Sequence, residues 1–307
     1  MSSVSTLDTT RKIADWATRP VRKNTPPRAN AITVDIEDYF QVEAFNGLIT
    51  RDQWDGFECR VERNVDRILE LFASADVKGT FFTLGWIARR YPALVRRIAD
   101  GGHEIASHGS MHFRAADQTP AVFANDVREA KAVLEDIVGT EVKGYRAPSF
   151  SITRESLWVF DVLNQAGYRY SSSTYPIAHD LYGIPEAPRF AFYPIGDSEF
   201  IEIPVTAVRF LNRNWPCGGG GYFRLLPYGW SKFGLRRVNR RDEEPCMFYF
   251  HPWEIDPGQP RVEGAPIKSR LRHYTNLGSM ERRLKKLLDA FAWGRIDMIY
   301  PIAGVTQ

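Results

Sequence analysis

Short apolar runs alternate with amphipathic stretches through the first 170 or so residues. Asn30–Asp35 is apolar and β-branched, the pattern of a buried strand. Val61–Ala75 then sets Val65, Ile68, Leu69 and Phe72 on one helical face. Val77–Leu84 reads as a strand, and Pro92–Asp100 as a helix that the pair Gly101-Gly102 stops. His103–Ser107 is strand-like, Phe123–Val138 is an amphipathic helix closed by Gly139, and Val142–Tyr145 is again a strand. Thr153 is placed to cap a helix running to about Ala166, with Gly167 after it and a strand over Tyr168–Ser171. Further on the pattern is less regular: Phe200–Val205 and Cys246–Phe250 look like strands. Between them Trp215–Tyr222, with Gly218 to Gly221 in a row, reads as a loop or sharp bend. There is no internal repeat. This alternation predicts an α/β fold with parallel strands and crossover helices, as an open doubly wound sheet or a barrel. No glycine-rich phosphate loop follows the first strand, which argues against a nucleotide site.

Residues 1–28 stand apart. They are Ser/Thr-rich, then basic, then proline-containing at Pro26-Pro27, and predict a flexible basic leader with at most a short helix at Thr10–Ala17. Residues 29–307 are then one structural unit of a size that suits a single barrel. With 40 basic and 37 acidic residues, the charge gives little ground for a nucleic-acid partner. Aromatic residues make up 13% of the chain, compatible with a sugar cleft but first of all with a core. Cys59, Cys217 and Cys246 form no CxxC and suit neither a zinc knuckle nor a disulfide framework, so reduced thiols are expected. No apolar run approaches the roughly 18 residues of a membrane span, and no apolar signal segment follows the basic leader. The expected location is cytoplasmic, with possible recruitment to the inner face of a membrane.

Four chemistry-bearing clusters each follow an expected strand. Asp35-Ile36-Glu37-Asp38 places three acids in four residues at a strand end, which calls for a cation or hydrogen-bond donors to offset desolvation. His108-Gly109-Ser110-Met111-His112 spaces two imidazoles four apart, one helical turn, where they can share a metal. With a carboxylate they make a facial set that leaves positions open for water and substrate. Arg146-Ala147-Pro148-Ser149 follows the third of these strands, and Phe248–Phe250 delivers His251 to a strand end ahead of Pro252, Trp253 and Glu254.

Taken together, these clusters resemble the polysaccharide deacetylase family, also called the NodB homology family or carbohydrate esterase family 4. The motifs that carry the resemblance are Thr33–Asp38, residues 79–85, residues 102–105, His108–His112, Arg146-Ala147-Pro148 and the strand ending in His251. Val34–Phe40, residues 168–176, 179–183, 251–257 and 272–276 are similar to the subfamily of exosortase/PEP-CTERM exopolysaccharide loci with a DUF3473-type C-terminal region. That region would be about residues 175–307, within the same structural unit. The resemblance spans about residues 30 to 300 and implies a distorted (β/α) barrel, TIM-barrel-like, with seven or so parallel strands.

It also implies a divalent metal, most often zinc, held by His108, His112 and a carboxylate. Asp38 is favoured as that carboxylate because a short Asp matches the family ligand. Glu37, on the strand face of Asp35 if the strand continues, is the alternative. Asp35 would be the catalytic base, held by Arg146, and His251 the acid that protonates the leaving amine. The oxyanion would rest on the metal and the Ser149 backbone N–H after Pro148, with Trp253 also on the substrate side. Ser171 stands where many members carry an acid that supports the histidine, which leaves Asp180 and Glu254 as candidate partners for His251. His179 and His273 have no assigned role. The implied reaction is N-deacetylation of an amino-sugar polysaccharide or its precursor, in exopolysaccharide biosynthesis, with possible association with the membrane-bound machinery. The alternatives are another amide hydrolase on this fold, such as a ring-opening enzyme, and a catalytically silent sugar-binding protein.

Overall fold

A computed structural model of the chain describes residues 19–21, 29–196 and 198–303. Its strands, in chain order, are β1 (Arg19–Pro20), β2 (Asn30–Ile36), β3 (Thr80–Thr83), β4 (Glu104–Ser107), β5 (Gly144–Tyr145) and β6 (Tyr170–Ser171). They continue as β7 (Phe192–Tyr193), β8 (Ile201–Glu202), β9 (Ala207–Phe210), β10 (Arg213–Pro216), β11 (Met247–Phe250) and β12 (Trp293–Gly294). Seven of them run side by side and parallel, in the order β11-β2-β3-β4-β5-β6-β8. Beyond β8 the chain crosses to the opposite end of this series. Ile203 N–H donates to Ser171 O, Val205 N–H to Thr174 O, and Thr206 N–H to Met247 O at 3.3 Å. Met247 N–H returns a bond to Thr206 Oγ1 at 2.6 Å. This narrow contact between residue 206 and β11 closes the sheet into a distorted α/β barrel.

The helices form because each has one apolar stripe to bury. Val61, Val65, Ile68 and Phe72 are the buried face of α1 (Val61–Ser74), between β2 and β3. Then come α2 (Gly85–Arg90) and α3 (Pro92–Asp100), followed after β4 by α4 (Pro120–Val138). Thr119 caps α4 by accepting the Val122 N–H, and Gly139 ends it in a left-handed turn at φ 70°. After β5 comes α5 (Trp158–Gln165). Later, α6 (Gly220–Leu225) and α7 (Tyr228–Arg237) precede β11, while α8 (Ile267–Tyr274) and α9 (Leu277–Leu288) follow it. With helices on the outside, every residue of β2, β3, β4 and β11 is buried, so these strands read as continuous rather than alternating runs.

Three expectations change. α5 begins at Trp158, because Thr153 donates its N–H to Ser156 Oγ at 2.8 Å and closes a separate turn. The glycine run is only partly a loop: β10 ends at Pro216, and Gly220 and Gly221 start α6. Gly218 and Gly219 cross directly over β11, where a Cβ on Gly219 would lie 1.9 Å from the Tyr249 carbonyl oxygen. Part of the expected leader is built into the fold, since Arg19–Pro20 pair antiparallel with β7 and Val21 is buried. The short helix expected at Thr10–Ala17 lies outside the described residues. The three cysteines are free. No helix among the described residues is long and apolar enough to cross a membrane.

Candidate active site

Parallel strands in a barrel deliver their C-terminal ends to one rim. Asp35, near the end of β2, is buried, and its Oδ1 accepts Arg146 Nη1–H at 2.5 Å. Arg146 follows β5 and is itself fully buried. Its remaining donors go to Thr33 Oγ1 at 2.8 Å and to the Ser172 carbonyl and hydroxyl, both at 3.0 Å. A buried guanidinium satisfied in this way is a rigid clamp on one carboxylate oxygen. The other, Oδ2, is 3.9 Å from His251 Nε2.

Glu37 lies two residues on and projects to the same side. One ligand atom from each of Glu37, His108 and His112 falls within 4.8 Å of the others. Glu37 Oε1 accepts the Trp253 indole N–H at 3.1 Å. Oε2 is 2.8 Å from His112 Nε2 but has no aligned hydrogen-bond donor. His108 Nδ1 is 2.9 Å from the Arg146 carbonyl oxygen. A carbonyl can only accept, so Nδ1 carries the proton and Nε2 offers its lone pair. Burial pushes the His108 pKa down to about 4. Burial pushes Glu37 upward, but His112, His251 and His108 outweigh it and hold the carboxyl at about 2. An ionised carboxylate with an unpaired buried oxygen, beside a neutral imidazole with a free nitrogen, is the donor set a divalent cation takes.

The two histidines do not meet across a helical turn. Residues 108–112 form a loop with left-handed backbone at Gly109 (φ 76°) and His112 (φ 54°). Asp126 on α4 holds the loop by accepting the Ser110 N–H at 3.2 Å. Arg51 donates to the carbonyls of Met111 and His112 at 2.6 and 2.8 Å. Neither anchor is visible from local spacing.

The structure corrects the favoured carboxylate. Asp38 faces away from the histidines and accepts the N–H groups of Tyr39 (2.8 Å), Arg60 (2.5 Å) and Val61 (2.9 Å). Two of these open α1, so Asp38 closes the turn after β2 and caps that helix. Burial raises its pKa to about 6.

His251 stands at the end of β11, and its partner is Glu254. His251 Nδ1 lies 3.1 Å from Glu254 Oε2, which also accepts the His251 backbone N–H at 2.9 Å. Glu254 Oε1 accepts Arg224 Nε–H at 2.6 Å, and Arg224 further donates to the carbonyls of Arg272, His273 and Thr275. Burial pulls the His251 pKa down, but Glu37, Glu254 and Asp35 pull harder and raise it to about 9. Trp253 stacks on His251, with ring centres 5.2 Å apart, and on His273 at 4.1 Å. Asp180 instead pairs with Lys268 and Arg272, and His179 stacks on Tyr182. Ser171 sits in a buried hydroxyl cluster, 2.7 Å from Ser173 Oγ. Arg224 has no local sequence signal, because everything it holds is at least 30 residues distant.

Asp35, Glu37, His108, His112, His251 and Trp253 line one cleft of about 170 Å³ together with Ser149. Pro148 lies behind that wall and starts the turn that presents Ser149, whose backbone is left-handed at φ 56°.

Residues 47–171 match the polysaccharide deacetylase family, and residues 172–301 match the domain of unknown function DUF3473. His108, His112 and Arg146 fall in the first match, and Arg224, His251 and Glu254 in the second, while Asp35 and Glu37 precede both. A peptidoglycan-N-acetylglucosamine deacetylase of Bacillus cereus is 32% identical over 91 residues, covering 30% of this chain and 33% of that protein. A chitooligosaccharide deacetylase of Rhizobium leguminosarum bv. trifolii is 34% identical over 103 residues, 33% of this chain and 44% of that one. The matched segment thus spans less than half the length of either relative. A solved Mycobacterium smegmatis structure assigned to the polysaccharide deacetylases superposes with a TM-score of 0.54 at 19% identity, over 94% of this chain and 97% of the other, and shows the shared fold. Residues 47–171 are therefore a polysaccharide deacetylase (NodB homology, carbohydrate esterase family 4) domain, and the DUF3473 region over residues 172–301 completes the barrel.

Proposed function

We propose that this protein is a metal-dependent N-deacetylase acting on an amino-sugar polysaccharide or its precursor, in exopolysaccharide biosynthesis. The observation that carries this reading is the convergence in one cleft of a clamped carboxylate, a cation-ready Glu-His-His set and a histidine held protonated. Glu37, His108 and His112 would hold the cation, with zinc the first choice for two imidazoles and a carboxylate; when bound it polarises the acetamide carbonyl and acidifies water.

The chain's own groups divide the proton work. Asp35 Oδ2, the oxygen that Arg146 leaves free, accepts a proton from the attacking water. A C–O bond forms at the acetyl carbon, and the Ser149 backbone N–H is available to the developing oxyanion. His251 Nε2–H then donates to the sugar nitrogen as the C–N bond breaks, giving acetate and a free amine. Glu254 at Nδ1 and the Asp35 carboxylate beside Nε2 favour the protonated ring.

The test is acetate release from N-acetylchitooligosaccharides by the intact protein, before chelation, after it and after zinc is restored. Activity should vanish and return. Asp35→Asn should lower turnover by roughly 10²–10⁴-fold with metal content unchanged. Wild-type turnover in Asp35→Asn, or no acetate from zinc-loaded protein across acetylated glycans, overturns the reading. Glycan binding without acetate release would mark a silent sugar-binding protein. Opening of a small cyclic amide instead would mark the other hydrolase.

A further inference from the structure

The chain as a whole is nearly charge-balanced, but one stretch is not. Residues 203–241 contain no Asp or Glu and eight Lys or Arg. One of the eight, Arg224, is buried in the site, and the other seven belong to the β9–β10 hairpin, to α7 and to the turn after it. Among the described residues, Arg209 and Arg213 on the hairpin and Lys232 and Arg236 on α7 are in none of the ion pairs.

The same hairpin and helix carry an exposed apolar surface. Leu211 at the hairpin tip is 78% exposed, and Phe210, Trp215 and Phe233 are each about 40% exposed, at 39%, 41% and 43%. These rings are contiguous. Phe210 and Phe233 lie 6.4 Å apart, Phe233 and Trp230 5.9 Å, and Trp230 and Trp215 6.3 Å, between ring centres. Single exposed apolar residues are ordinary, but four joined aromatic rings with a leucine beside them are not. Register shows how the tip is built: Arg213 pairs Phe210, and Leu211 and Asn212 form the turn with left-handed backbone at φ 49° and 58°.

We propose that the β9–β10 hairpin and α7 form a docking surface for an anionic lipid bilayer. Aromatic rings and a leucine among unpaired cations match the interface of such a bilayer, where rings sit at headgroup depth and arginines meet lipid phosphates. A nucleic-acid surface would show the cations without the exposed leucine and phenylalanines. The segment also leads into the cleft, since Gly221 and Arg224 of α6 line it immediately after the hairpin.

The experiment is co-sedimentation of the full chain with vesicles of phosphatidylcholine alone and of phosphatidylcholine with phosphatidylglycerol. The protein should partition onto the second and not the first, and added salt should weaken it. Arg209→Ser with Arg213→Ser should lower partitioning about 25-fold, near five-fold per cation removed. Phe210→Ser with Leu211→Ser should also release the protein, and both double variants should keep the wild-type melting temperature. Equal partition onto both vesicle types, no partition at all, or unchanged partition of both variants overturns the proposal. So does preferential binding of duplex DNA, or a dimer in solution that Leu211→Ser dissolves.

Discussion

Glu254 is the residue on which the acid function of His251 most depends. In Glu254→Gln the amide has one acceptor and one NH2 group, yet both neighbours, Arg224 Nε–H and the His251 side chain, are donors. The negative charge beside the imidazole disappears, and Arg224 is left as an uncompensated cation. An opposite charge at this range shifts a pKa by roughly 1–3, so the His251 pKa should fall from about 9 to near 7. In the metal-free protein at pH 8 the protonated fraction then drops about ten-fold, and turnover of the zinc form should fall in the same direction. The sign for stability is fixed in the same way. A histidine raised from 6.5 to about 9 stabilises the fold fully below pH 6.5, and that contribution, about 3 kcal/mol, is lost as pH rises through 9. Breaking the buried Glu254–Arg224 pair should cost about 3–5 kcal/mol. The double variant Arg224→Met/Glu254→Gln removes the stranded cation and separates folding from titration. The assay is an NMR titration of the His251 ring in chelated protein, with the pH–rate profile of the zinc form beside it. A His251 midpoint within a few tenths of wild type in both variants would show that Glu254 does not hold the His251 proton.

Two further outcomes follow from the geometry. Glu37→Gln should lose bound metal by elemental analysis while melting near wild type; Asp38→Asn should keep metal and lose about 1–3 kcal/mol, because it weakens the cap of α1. The reverse pattern would restore Asp38 as the ligand. Gly219→Ala should lower thermal stability sharply, since its φ of 113° and the 1.9 Å approach to the Tyr249 carbonyl leave no room for a methyl group; an unchanged melting curve would count against the close crossing.

The strands were legible because a barrel buries both their faces, so apolar β-branched runs with acids or histidines at their ends stand out even in one sequence. Asp35, Arg146, His108, His112 and His251 were all visible for that reason. What local pattern did not reveal was direction. Glu37 and Asp38 are adjacent acids, and only the turn after β2 sets one toward the histidines and the other toward α1. The His108–His112 spacing suggested a helix, but left-handed turns at Gly109 and His112 bring the rings together equally well. Glu254 was one of two candidates, and its selection depends on Arg224, a contact across 30 residues that no periodicity encodes. The late helices α6 and α7 were missed because the region between β8 and β11 is short-stranded and rich in glycine and proline.

The pairing of β2 with β11 also governs the order in which the molecule can be made. Thr33 bonds the Phe248 carbonyl across 215 residues. At roughly 5–20 residues per second, a ribosome leaves β2 without that neighbour for about 10–40 s. During that wait β2, a strand bound for full burial with Asp35 near its end, has one open edge, and the clamp on Asp35 from Arg146 arrives long before His251. The nascent chain therefore passes through a half-barrel whose exposed edge invites pairing with other chains. Expression in the cell should depend on chaperones that shield β2 until the DUF3473 half emerges.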